Sequence, residues 1–156
     1  MLSALKLLQK KSFVSAATSS LQGQPNAAPK LVLDVDKEFI YLVDHISGKT
    51  WQNLKANPQI SLSFTDSEEL KGYRINGRVK ILEKDAIGED IINKLDDRKL
   101  ALSIDRVVSG VRREKKHKVF EVEMPNNFVV YKIKMEEITE IKPEGSLRRE
   151  KMETKQ

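Results

Sequence analysis

Residues 59–65, "QISLSFT", and residues 72–83, "GYRINGRVKILE", alternate apolar and polar side chains over two consecutive stretches. Ile60, Leu62 and Phe64 share one side of the first, with Ser61, Ser63 and Thr65 on the other. Tyr73, Ile75, Val79 and Ile81 share one side of the second, opposite Arg74, Asn76, Arg78 and Lys80. A period of two belongs to a strand with one face buried and one in water, the habit of antiparallel sheets. Gly77 falls inside the second run and predicts a bulge or a close approach of another backbone.

Three more extended runs precede these: "SFVSAATS" at 12–19, "AAPKLVLDV" at 27–35 and "FIYLV" at 39–43. The segments between them, "LQGQPN" and "DVDKE", carry turn chemistry. Pro29 places its strand at an edge or at an interrupted ladder, because proline has no N–H to donate. The period then changes. Ile87, Ile91, Leu95 and Leu102 recur at helical spacing between charges, and "SIDRVVSG" predicts a short second helical turn ended by Gly110. "KVFEVEM" and "FVVYKIKMEEITEIK", joined by "PNN", predict a final hairpin. From Pro143 onward the chain is almost wholly polar and is expected to fray. Short turns between strands predict a small barrel or sandwich.

Composition excludes several classes. At 156 residues the chain can bury a core of its own, and 39% hydrophobic residues is ordinary for a globular protein. No apolar run approaches the ~20 residues of a membrane-spanning helix, so no membrane partner is expected. "MLSALKLLQKKSF" reads as a short amphipathic helix rather than a signal peptide, since its basic residues follow the apolar part. The absence of cysteine removes disulfides and thiolate metal sites, and a cytoplasmic setting fits it. His45 and His117 are the only histidines and lack metal-ligand spacing. The formal charge of +5 includes two basic clusters, "RREKKHK" at 112–118 and "RREK" at 148–151. They read either as solvated surface or as an attraction for an anion. No aromatics interleave them to stack bases, so no nucleic acid is expected.

The chemistry-bearing stretch is "DHISGKTWQNLKANP", 44–58, between two strands. Ser47 is an N-cap candidate for a short helix of about three turns. Trp51 and Leu54, three apart, can face the core, and Asn57-Pro58 stops the helix. Lys49 in a first turn is electrostatically odd, because a helix N-terminus carries roughly +0.5 charge. Two readings stand. In one, the Gly48 to Thr50 amides, the Thr50 hydroxyl and the Lys49 ammonium converge on a dianionic group. In the other, this is an ordinary capped helix with Lys49 in water. "SGKT" also echoes a phosphate loop, but Val43 stands where that pattern needs glycine, so nucleotide hydrolysis is set aside.

"GQPNAAPKLVL", "FIYLVDHISGKTWQNLKANPQISLSF" and "GYRINGRVKIL" together resemble the FMN-binding split-barrel family related to pyridoxamine phosphate oxidase. The resemblance runs from about residue 8 to residue 82 and is strongest between 38 and 77. It implies a mainly β fold, a six-stranded antiparallel split barrel of Greek-key topology with a few flanking helices. It assigns 1–142 to that domain and 143–156 to a polar tail. It implies a homodimer with FMN at the subunit interface and a small-molecule substrate or electron donor. Ser47, Gly48, Lys49 and Thr50 would bind the FMN phosphate. Ala28, Pro29, Lys30 and Leu31 would run beside the isoalloxazine and offer backbone groups to its polar edge, with Val43 also at the cofactor. Relatives on this barrel use haem or a deazaflavin, which stands as an alternative, as does a flavin carrier without a substrate. The oxidase proper has arginines where this chain has Ala28 and Gly48, and its C-terminal substrate-binding region has no counterpart in "EEITEIKPEGSLRREKMETKQ". Oxidation of pyridoxamine phosphate itself is therefore not expected, and no catalytic side chain or metal site is assigned.

Overall fold

The computed structural model describes residues 2–112 and 127–152. The elements run α1 (Leu2–Lys10), β1 (Phe13–Ser19), β2 (Pro25–Val35), β3 (Phe39–His45), α2 (Lys49–Ala56), β4 (Gln59–Asp66), β5 (Lys71–Leu82), a short 3-10 turn at Lys84–Ala86, α3 (Glu89–Arg112), β6 (Phe128–Ile141) and β7 (Leu147–Lys151). All strand pairs are antiparallel, in the order β3-β2-β1-β4-β5-β6-β7, and β3 also pairs with β6. That last pairing closes six strands into a barrel, with β7 as an extra strand on β6. The first four strands lie in the spatial order 4-1-2-3, which is the Greek key. The returning connection from β3 to β4 is α2.

The alternation in the sequence becomes the inside and outside of the barrel. Ile60, Leu62, Phe64, Tyr73, Ile75 and Val79 enter one core with Val32, Ile40, Leu42, Tyr131 and Ile133. Ala4, Leu5 and Leu8 of α1 pack into it too, as the amphipathic reading of 2–10 requires. A second, smaller cluster lies outside the barrel, where Ile91 and Leu95 of α3 cover Leu33, Val43, Leu82 and Val130.

Gly77 is both of the things its position allowed. The β5–β6 register shifts between Asn76 and Gly77. A Cβ there would lie 2.5 Å from the Lys134 carbonyl oxygen and 2.9 Å from Ile133.

Three expectations are corrected. The helix over 85–102 does not end for a second turn, because α3 runs unbroken through Gly110 to Arg112; an interior glycine weakens a helix by about 1 kcal/mol without terminating it. Residues 147–151 do not fray but pair along the free second half of β6, and Gly145, with φ +86, makes the turn between them. The open ladder there stabilises a strand that has few apolar side chains. The α2 helix is eight residues, about two turns, not three. The strand expected at 118–124 and the cluster at 113–118, with His117, lie outside the described residues.

Gly77→Ala is expected to cost about 1–3 kcal/mol, seen as a fall in thermal midpoint of roughly 2–4 °C per kcal/mol. An unchanged midpoint would mean that β6 gives way without strain at Lys134.

Candidate functional site

The strands β2 and β3 meet in register at Leu31–Val43 and Val32–Leu42, and no β3 residue pairs with β2 before Leu31. Residues 25–30 therefore pair with β1 alone. Val32 donates its N–H to the Ser12 carbonyl at 2.9 Å. Backbone groups alternate in direction along a strand, so those of Ala28 and Lys30 also point to β1. The groups of Ala27 and Pro29 point to the open side. That edge offers the Ala27 N–H and carbonyl and the Pro29 carbonyl, and lacks a donor at Pro29.

The start of α2 lies against the same stretch of β2. Asn26 donates its side-chain N–H to the Thr50 hydroxyl oxygen at 3.1 Å, and Thr50 is buried. Asn53 donates to the Thr18 hydroxyl at 3.2 Å, and Asn57 to the Ser19 carbonyl at 3.2 Å. The asparagines of "NLKANP" thus fasten the helix to the β1–β2 hairpin. Leu54 is buried, and Trp51 packs half-buried on the barrel core with the Lys55 ammonium 4.4 Å from its ring centre. The core-facing reading of both residues holds.

Ser47 is not the N-cap. Ile46 packs against the barrel core and the chain turns through 46–47, so the helix begins one residue later. Gly48 takes the cap position with an extended backbone, and no side chain caps the first turn. A Cβ on Gly48 would meet only the His45 carbonyl, at 4.0 Å, so the backbone there is uncrowded. Ser47 and Lys49 are exposed, and Lys49 has no ion-pair partner among the described residues. An uncapped first turn with the exposed Lys49 thus follows Gly48, and the Asn26–Thr50 bond joins it to the half of β2 that β3 leaves unpaired.

The remaining expected residues lie differently. Pro29 is exposed, Ala28 and Leu31 are half-buried, and the Val43 side chain is covered by α3. Lys30 points inward. Its ammonium lies 2.7 Å from Asp44, both nearly buried, and Tyr131 donates its hydroxyl to the other Asp44 oxygen at 2.8 Å. This network ties β2, β3 and β6 together next to the 46–48 turn. Burial first, then the hydrogen bond to Asp44, pushes the Tyr131 hydroxyl above its ordinary range. No sequence motif marked these three residues as a network; Lys30 was expected at the cofactor instead. The signal was nevertheless present: the alternation that buries Val32 and Leu42 also buries Lys30 and Asp44, and buried charges need partners.

The model of the pyridoxamine 5'-phosphate oxidase family matches residues 3–142. The chain belongs to that family. Among its curated members, the pyridoxine/pyridoxamine 5'-phosphate oxidase of Nostoc sp. strain PCC 7120 is 34% identical over 67 residues, 43% of this chain and 31% of that protein. The chain thus matches under a third of that oxidase's length. Among the solved structures that share the fold, three illustrate its range. A protein related to general stress protein 26 from Clostridium acetobutylicum gives a TM-score of 0.65 at 15% identity, covering 97% of this chain and 93% of that one. A pyridoxamine 5'-phosphate oxidase-related, FMN-binding protein from Nostoc punctiforme PCC 73102 gives 0.54 at 9% identity, over 97% and 91%. HutZ, the haem storage protein of Vibrio cholerae, gives 0.59 at 16% identity, over 86% and 89%. The split barrel expected from the resemblance is the fold observed, and the solved proteins that share it include one described as FMN-binding and one described as a haem storage protein. No helix among the described residues is long and apolar enough to cross a membrane.

Removing one partner of a buried ion pair leaves the other charge stranded, so Asp44→Ala is expected to cost about 3–5 kcal/mol, whereas Lys30→Met with Asp44→Leu should cost far less. Urea denaturation of the three proteins tests this; equal losses would contradict the pairing. Tyr131 adds a pH dependence. Its folded pKa lies above the unfolded value near 10, so its contribution is complete below about pH 10 and is lost as pH rises toward the folded value. Tyr131→Phe should flatten that alkaline decline.

Proposed function

We propose that this chain binds FMN, with the phosphate at Ser47–Thr50 and the polar edge of the isoalloxazine along the open side of β2. The observation that carries this reading is the juxtaposition of two unfilled features: an uncapped helix start bearing the unpaired Lys49, and a strand edge with free backbone groups. Asn26–Thr50 holds the two together. The donor set fits a dianion, because amides and an ammonium are what a phosphate binds. The open edge fits a planar ring with donors and acceptors on its rim, served by Ala27 and the Pro29 carbonyl.

Bound flavin supplies hydride or electron transfer, which makes an oxidoreductase acting on a small organic substrate the reading we adopt. The chain's own residues bind and orient. Gly48 gives the phosphate room, Lys49 neutralises it, and Lys30–Asp44–Tyr131 keeps the strands beside it in place. A lone chain leaves this site open on one side, and none of the cavities at Phe128, Asn76 or Phe39 is lined by residues 28–31 or 47–50. We therefore place FMN between two copies of the chain, the second copy forming the missing wall. Sedimentation of the flavin-bound protein should give a dimer at micromolar concentration, and a flavin-bound monomer would sink that placement.

Lys49→Ala tests the phosphate site. Hydrogen bonds to charged groups are worth roughly 1.5–3 kcal/mol, so FMN affinity should fall about tenfold to a hundredfold. Riboflavin, which lacks the phosphate, should bind almost as before. Equal losses for both would assign Lys49 to the fold, and no loss for either would leave a plain helix start. A visible spectrum with a haem band and no flavin bands would replace the cofactor.

A further inference from the structure

We propose that the outer face of β5, β6 and β3 is a second binding site, for an organic anion that joins an apolar, ring-sized body to a phosphate or carboxylate. It is independent of the FMN reading. Phe39 starts β3 and His45 ends it, so this face and the Ser47–Thr50 turn are separated by about 20 Å of strand.

The site begins with charges that the register sets against one another. Lys80 is directly opposite Lys132, and Arg78 directly opposite Lys134. Like charges directly across a ladder destabilise it. Two such pairs in adjacent outward positions of the barrel strands are therefore a cost the fold does not require. Their compensation within the chain is slight. Glu136 lies 3.6 Å from Arg78, but both side chains are more than half exposed. Lys80, Lys132 and Lys134 have no ion-pair partner among the described residues.

Beside these cations the surface is concave and apolar. A cavity of about 500 Å³ lies there, within the usual size of small-molecule sites. Phe39, Val79, Met135 and Met152 are its apolar lining; Val79 and Met135 are buried in the barrel core, so the accessible apolar surface is that of Phe39 and Met152. The Lys132 ammonium stands 4.1 Å from the centre of the Phe39 ring, a contact that keeps the cation at the cavity mouth. Met152 belongs to this lining because β7 brings the chain back along β6, where the Met152 N–H bonds the Glu136 carbonyl at 2.9 Å.

Charge decides the occupant. A second copy of this chain placed here about a two-fold axis would set lysines against lysines. A neutral apolar ligand would leave Lys80, Lys132 and Lys134 uncompensated. An amphipathic anion satisfies the apolar lining and the rim together: the body on Phe39 and Met152, the anionic group between Lys132, Lys134 and Lys80.

Titrating the full chain with 1-naphthyl phosphate, followed by amide chemical shifts, tests this. We expect binding with shifts at Phe39, Arg78–Lys80 and Lys132–Met135, at least about tenfold tighter than 1-naphthol or inorganic phosphate. Lys132→Gln with Lys134→Gln should weaken it about tenfold or more, while the thermal midpoint holds or rises because like charges leave the ladder. Lys80→Gln, on an exposed side chain, is the second variant and should weaken it severalfold. Lys49→Ala should leave it unchanged, which separates this site from the FMN phosphate site. The proposal is overturned if the parent protein does not bind, if 1-naphthol binds as well, or if the glutamine variants bind like the parent. Shifts confined to residues 47–50 that vanish in Lys49→Ala would overturn it too, as would a dimer that the glutamine variants dissociate.

Discussion

The barrel depends on β6. Its 14 residues pair with β5 along nearly their whole length, and on the other side with β3 at the beginning and β7 at the end. Without the β3 contact the six strands would form an open twisted sheet with two exposed edges. Closure gives the apolar faces of 59–66 and 71–82 an interior to fill and leaves those edges paired. It also dictates where pairing fails. β3 reaches β2 only from Leu31, so the first half of β2 keeps one free side, and the helix that links β3 to β4 comes to rest beside it.

Polar contacts then fix what closure leaves adjustable. Lys30, Asp44 and Tyr131 join three strands inside the barrel, where a slip of one residue would strand a charge in the core. Asn53 and Asn57, one helical turn apart, fix α2 against the hairpin. Hydrogen-bonded groups have narrow distance and angle requirements that apolar packing lacks. The helix start beside β2 is therefore held at a defined place by side chains that need touch no ligand.

Much of this was legible in the residues. The strands with clean alternation, β4 and β5, were plain, and so were the bulge at Gly77 and the turn chemistry between β1, β2 and β3. Family resemblance, not periodicity, supplied the barrel and the Greek key, because alternation says which face is buried and nothing about closure. Two errors share a cause. Local propensity alone stops a helix at Gly110 and frays the tail, yet α3 continues through the glycine and β7 finds an open ladder on β6. The role of Ser47 failed by one residue, since a helix boundary depends on where the preceding turn anchors Ile46. The inward charges of Lys30 and Asp44 could have been noticed, but only register shows that they meet.

The free side of β2 has a further meaning. An unpaired strand edge is a template: the same carbonyls and amides that suit a flat heterocycle can extend the ladder with an extended segment of any other chain, the first step toward aggregation or domain swapping. Pro29 lies in the middle of that edge, and its nitrogen faces the open side. An incoming strand would find an acceptor there and no donor, and would meet the pyrrolidine ring where its own backbone should lie. A small planar molecule can do without that one hydrogen bond, but a continuous ladder cannot. The proline thus works as a size filter on the edge, leaving it open to a ligand and closed to a polypeptide.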